Sequence, residues 1–212
     1  MTQKVIIFDF DGTIADTVDA LVTIANRLAL EFGYIQITPD ELALLRNLTS
    51  REIISYSGIS VFKIPFLLKK VKGELKTKIK EFHPIPGIPE ALIELKNEGY
   101  QLGVITSNSQ ENVTEFLKYN DLDYLFDFIH SGVTIFGKTT IINNVLRQRQ
   151  IKTQSVIYVG DETRDIEASK KANIKVIAVT WGFNSAEALA KEHPNYLIDH
   201  PSELLQVIKN NA

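Results

Sequence analysis

The sequence predicts an α/β protein: a doubly wound, parallel-sheet (Rossmann-like) core with an all-helical segment inserted after the first strand. Three observations predict it. Val5, Ile6, Ile7 and Phe8 form a continuous apolar run, as strands buried on both faces do, and acids end it at once. From Gln101 onward short apolar runs alternate with helical patterns, which specifies parallel strands covered by helices. Between them, residues 16–82 carry helical patterns alone.

In chain order, Val18, Leu21, Val22, Ala25, Leu28, Ala29 and Phe32 recur at spacings of three and four, predicting a helix from Asp16 to Phe32 closed by Gly33. That helix excludes a simple Asp-Gly hairpin after the first strand. Thr38-Pro39-Asp40-Glu41 and Thr49-Ser50-Arg51-Glu52 each match a capping box and start two more helices. Pro65 to Phe82 reads as a fourth, with Lys69, Lys70, Lys72, Lys76, Lys78 and Lys80 on a solvated face interleaved with Glu74 and Glu81. His83-Pro84-Ile85-Pro86-Gly87-Ile88-Pro89 ends the helical segment, since three prolines and a glycine in seven residues cannot continue a helix.

Beyond this boundary helices are predicted at Pro89–Glu98, Gln110–Lys118, Thr139–Gln150, Asp165–Ala172 and Ser185–Glu192, with a last one from Pro201. Strands are predicted at Gln101–Thr106, Phe126–His130, Ser155–Gly160, Lys175–Thr180 and Tyr196–Ile198. The division expected is a core of residues 1–15 and 83–212 and an insert of residues 16–82.

Composition narrows the function. A net charge of −3 gives no electrostatic case for a nucleic-acid or anionic-membrane partner. The absence of cysteine among 212 residues excludes disulfides and thiolate metal sites. No apolar run reaches membrane-spanning length, and the acids that interrupt the first run rule out a signal-peptide core, so a cytoplasmic protein is expected.

The strand ends carry the chemistry. Asp9 and Asp11, two apart on an extended segment, point the same way at the carboxyl end of the first strand. Thr106-Ser107-Asn108-Ser109 enters a helix and offers N–H groups and hydroxyls to an anion, a pattern that an ordinary helix cap shares. The strand ending at Gly160 delivers Asp161 and Asp165, four apart on a loop entering a helix. Four carboxylates, Asp9, Asp11, Asp161 and Asp165, call for a cation, and hard oxygen donors alone favour Mg²⁺. Lys138 opens a helix, where a positive charge is disfavoured unless an anion sits nearby. Gly132 to Thr139 also matches the P-loop pattern of nucleotide hydrolases, but Val133, Ile135 and Phe136 resist the backbone approach that such a loop needs.

The set resembles the haloacid dehalogenase superfamily, through the segment DFDGTIADT, then ITSNS, the lysine before a helix, and GDETRD, in the family's order over nearly the whole chain. The run from Val156 through VTWGF to Leu205 looks like phosphoglycolate phosphatases and their relatives. The resemblance implies Asp9 as nucleophile, Asp11 as acid/base, Thr106 and Lys138 on the phosphoryl group, and Asp161 on Mg²⁺ with Asp165 binding directly or behind it. It also implies that residues 16–82 form the family's cap domain. Dehalogenases of the superfamily lack the second aspartate, so Asp11 argues for phosphoryl chemistry.

A Mg²⁺-dependent phosphatase acting on a small phosphorylated metabolite is the expected function, as a monomer or homodimer. Arg51, opening a capped helix of the cap, is the candidate for reading the leaving group. Asn47 stands where relatives often carry glycine, and asparagine tolerates a left-handed backbone there. The alternatives are a β-phosphoglucomutase-like phosphotransferase, which the Ser50-Arg51-Glu52 segment also resembles, a P-loop nucleotide hydrolase, and a non-catalytic phosphometabolite-binding protein.

Overall fold

The computed structural model of the chain describes residues 4–131 and 137–211. Its strands are β1 (Val5–Phe8), β2 (Gln101–Ile105), β3 (Phe128–His130), β4 (Val156–Gly160), β5 (Lys175–Val179) and β6 (Tyr196–Ile198). All pair in parallel in one sheet of order β3-β2-β1-β4-β5-β6. The chain builds outward from β1 to one side, then returns to lay β4 against its other edge, as a doubly wound sheet does.

Four helices lie between β1 and the Pro-rich boundary: α1 (Val18–Phe32), α2 (Pro39–Leu45), α3 (Ser50–Ser57) and α4 (Ile64–Lys78). Six more accompany the sheet: α5 (Ile88–Asn97), α6 (Gln110–Tyr119), α7 (Lys138–Gln148), α8 (Thr163–Lys171), α9 (Ala186–Lys191) and α10 (Leu204–Asn211). The two-residue period of the strands sorts side chains to opposite faces. Ile6 and Phe8 pack with Leu92 of α5, Phe116 of α6 and Ile208 of α10. Val5 and Ile7 pack with Ile142 of α7, Ile166 of α8 and Leu189 of α9.

The helices after β1 have a separate apolar cluster, in which Ile24, Leu28 and Phe32 of α1 meet Ile64, Val71 and Leu75 of α4. Thr38 and Thr49 both form the predicted reciprocal caps: the Thr38 N–H donates to Glu41 at 2.8 Å, and the Thr49 N–H to Glu52 at 2.7 Å. The ends of this segment run side by side. The Asp16 N–H donates to the His83 carbonyl at 3.0 Å, and the Ile85 N–H to Ile14 at 2.9 Å. No described helix is long and apolar enough to cross a membrane.

Several predicted boundaries shift for physical reasons. The first helix begins at Val18 instead of Asp16, because the chain up to Asp16 is tied to His83. Pro65–Phe82 is α4 followed by a separate tight turn at Ile79–Glu81. The third strand is only Phe128–His130, because Asp123–Leu125 winds into a tight turn before it.

β2 contains Gly103, and a Cβ there would fall inside the Phe128 ring of the neighbouring strand. Gly103→Ala is therefore expected to destabilise the fold by about 1–3 kcal/mol through overpacking, measured as a lower urea midpoint at unchanged slope.

Candidate active site

The carboxyl ends of β1 and β4 lie side by side where the winding direction reverses, the crevice that ligands occupy in such sheets. The Asp9 N–H extends the ladder by donating to the Val159 carbonyl at 2.9 Å, so Asp9 emerges beside Asp161. Asp9, Asp161 and Asp165 are buried, and each offers an oxygen within 4.8 Å of the others. Asp165 sits in the first turn of α8, where its Oδ2 accepts the Glu162 N–H at 3.1 Å. That bond caps the helix, so α8 starts at Thr163, ahead of the predicted Asp165.

Lys138, the first residue of α7, is 2% exposed. Its Nζ donates to Asp9 Oδ2 at 2.6 Å and also to Asp165 Oδ1. Burial opposes the ammonium charge, but the Asp165 and Asp9 carboxylates together outweigh it and hold its pKa well above the lysine range. Asp161 accepts from the Thr13 hydroxyl at 2.7 Å and from the Phe183 N–H at 2.8 Å. Gly182 permits that approach, since a Cβ there would collide with the Asp161 side chain.

Three buried carboxylates face one ammonium, and the imbalance shows in their acidity. Burial raises the Asp161 pKa well above the ordinary carboxylate range, and the Glu162, Asp165 and Asp9 charges add to it. Burial likewise brings Asp165 to about 6, with Lys138 pulling the other way. A donor set of hard, converging, excess negative oxygens suits a small divalent cation such as Mg²⁺.

Of the four predicted acids the structure brings three together. The carboxylate of Asp11 is held elsewhere, accepting from Thr17 Oγ1 at 2.9 Å and from Asn108 Nδ2 at 3.1 Å. Burial raises its pKa to about 6, helped by the Asp9 charge and opposed by the hydrogen bonds from Thr17 and Asn108. Thr106 is buried at the end of β2, and its Oγ1 accepts the Asn108 N–H at 3.0 Å, leaving its own proton to donate. Ser107 lies next to it on the wall of the cavity that contains Asp11.

That cavity, about 300 Å³, extends from Asp11, Asn108 and Asp161 to an apolar end formed by Leu21, Val22, Ile53 and Leu68. Lys72 also lines it. It is partly buried, contrary to the solvated-face reading, because it falls on the Leu68–Leu75 stripe of α4. Burial lowers its pKa, and the Asp11 charge resists the change. Arg51, by contrast, is not among the described residues lining this cavity; its guanidinium lies 3.9 Å from Glu167 of α8. Asn47 is not among the described residues with left-handed backbone; its side chain donates to the Ala43 carbonyl at 3.1 Å and accepts from the Ser185 hydroxyl.

The α2–α3 loop of the helical segment binds the loop that follows β5. Arg46 donates to the Phe183 carbonyl at 2.8 Å and to that of Gly182. Asn184 Nδ2 donates to the Arg46 and Leu48 carbonyls at 2.9 and 3.0 Å, while its Oδ1 accepts the Thr163 N–H at 2.9 Å. Thr17 and Asn184 escape sequence reading, and Asn108 is read only within a helix-entry segment, because each stands at the start of a helical pattern, where such residues usually cap. Gly132–Phe136 of the P-loop match lies outside the described residues, and the Lys138 ammonium is committed to two carboxylates.

Residues 6–179 match the model of the haloacid dehalogenase-like hydrolases. A phosphoglycolate phosphatase of Synechococcus elongatus is 36% identical over 206 residues, 97% of each chain. A phosphoglycolate phosphatase of Aquifex aeolicus is 26% identical, over 99% of this chain and 98% of its own. The solved structure of a predicted phosphatase from Clostridium acetobutylicum superposes with a TM-score of 0.83 at 25% identity, covering 99% of this chain and 100% of its own.

Asn184 is buried, and its three side-chain hydrogen bonds join α8 to the α2–α3 loop. Asn184→Ala strands their partners and is expected to cost about 1–3 kcal/mol, read by chemical denaturation.

Proposed function

Because the chain belongs to the haloacid dehalogenase-like hydrolases, we propose that it is a Mg²⁺-dependent phosphatase of a small phosphomonoester, phosphoglycolate-like or a sugar phosphate, working through a phosphoaspartate. The observation that carries this reading is the placement of Asp9 against Lys138 and beside the buried Asp161 and Asp165, with the Asp11 carboxylate held by Thr17 and Asn108. Asp9, Asp161 and Asp165 would hold the Mg²⁺, which supplies positive charge against which an anionic nucleophile and a phosphate dianion can approach.

An Asp9 oxygen attacks phosphorus, and the bond from phosphorus to the ester oxygen breaks. Asp11, with a pKa of about 6, gives its proton to the leaving alkoxide and then takes one from the water that attacks the phosphoaspartate. That second attack frees Asp9 and inorganic phosphate. Lys138 orients Asp9 and offsets charge on the transferring oxygens, and the Thr106 hydroxyl and neighbouring N–H groups donate to them. Thr17 and Asn108 keep Asp11 aimed at the cavity side of the site. Residues 16–82 serve as the cap that covers the reacting group, a role supported by their own apolar cluster and by the bridged segments, Ala15 beside Pro84, at which they leave and rejoin the core.

Asp9→Asn retains the volume but removes the nucleophile, so turnover is expected to fall at least about a thousandfold with an unchanged circular dichroism spectrum. Activity within tenfold of the wild type overturns the covalent mechanism. EDTA should silence the enzyme, Mg²⁺ should restore it and Ca²⁺ should restore it poorly, because Ca²⁺ takes looser, larger coordination. Asp161→Ala should reproduce metal removal and abolish the Mg²⁺ heat in calorimetry. Release of one inorganic phosphate per ester consumed separates hydrolysis from phosphoryl transfer to a second sugar.

A further inference from the structure

We infer that Lys72 of α4 recognises an anionic group on the leaving alcohol, so that the site selects short phosphorylated hydroxy acids over neutral phosphate esters. The inference rests on the phosphatase reading and adds the residue that gives the site its selectivity. Lys72 lines the same cavity as Asp11, Ser107 and Asn108, the side chains surrounding the reacting end. Among the described residues it has no carboxylate within ion-pairing distance, whereas Lys70 is paired with Glu31 and Lys80 with Glu115.

A partly buried ammonium in no ion pair, facing only the more distant Asp11 charge, is costly, and a bound anion would complete it. Its position is fixed from both sides. Leu68 and Leu75, four before and three after, anchor the same face of α4, and the Lys72 carbonyl accepts from Asn112 Nδ2 at 3.0 Å. Asn112 in turn donates to Asn108, which holds Asp11. The other basic side chain lining the cavity, Arg164, already donates to Glu162 at 2.6 Å. Beside Lys72 the wall is apolar, formed by Leu68, Val71 and Leu75 of the same helix and by Leu21 and Val22 of α1. A short chain with one terminal carboxylate meets both the apolar wall and the ammonium.

The test compares phosphoglycolate with n-propyl phosphate, a neutral ester of similar size, in the presence of Mg²⁺. Wild-type kcat/KM should favour phosphoglycolate by about tenfold or more, and Lys72→Met should reduce that ratio by about ten- to a hundredfold, mainly through KM. Lys72→Arg should restore part of the preference. A wild-type ratio below threefold overturns the inference whether or not the variant folds. So do equal losses on both esters in Lys72→Met, which would mean that Lys72 serves Asp11 instead of the leaving group. In either case hydrolysis itself leaves the phosphatase reading standing. Failure of the wild type to hydrolyse either ester overturns the inference, and the phosphatase reading falls with it only when sugar phosphates also release no phosphate.

Discussion

The contact between Lys138 and the buried carboxylates of Asp9 and Asp165 is the constraint on which the site depends. Ionised groups are taken out of water only when compensated, and breaking one partner of such a pair leaves an isolated charge. The fold makes the arrangement possible by bringing the ends of β1 and β4 together and starting α7 and α8 beside them. Lys138 stands at a helix N-terminus, where the backbone dipole disfavours it; the adjacent acids reverse that preference. One ammonium still does not balance three carboxylates, and burial, with the neighbouring acids adding to it, raises the pKa of Asp161 and Asp165. A strong demand for positive charge is therefore built into the mouth of the sheet, which suits a site that must admit a metal ion and a phosphate dianion together.

The sheet was legible because its determinants are local and repeated. Each strand is a short apolar run, each connection a helical period, and the alternation admits one handed winding. Asp9, Asp161 and Asp165 were legible as a set because strand ends converge by topology. Their separation from Asp11 was not, because i and i+2 on a strand predict a shared direction only while the chain stays extended, and it turns at Gly12 into Thr13. Thr17 shows a second limit. Its place before α1 suggests a helix cap, yet its hydroxyl makes no capping bond and donates to Asp11 instead. A residue whose local role is plausible conceals its long-range one.

Lys72 and Arg51 show what packing adds to composition: Lys72 lines the cavity with Asp11, and Arg51 lines a neighbouring one with Lys138 and Arg164. The lysine-rich helix reads as a solvated face when charges are counted, but position 72 continues the Leu68–Leu75 stripe at spacings of four and three, which puts it on the covered side. That signal was present in the period and hidden by composition. Arg51 begins a helix whose N-terminus lies near the core, and only the packing of α3 shows its side chain directed to Glu167.

The α2–α3 loop joins these two levels of organisation. Phe183 supports Asp161 through its N–H and receives Arg46 through its carbonyl, so a single peptide segment touches both the carboxylate group and the helices above it. Asn184 repeats the pattern, donating its N–H to the Asp161 carbonyl at 3.2 Å while its side chain binds Arg46 and Leu48. A rigid-body movement of all of residues 16–82 would break these bonds together. The α4 side is tied as well, through the Asn112 bond to the Lys72 carbonyl and the Lys80–Glu115 pair, and the chain crosses between segment and core beside it at Asp16 and His83. Lys72 and Asp11 line one cavity and are linked through Asn112 and Asn108, so the position of α4 and that of Asp11 are set by the same side chains.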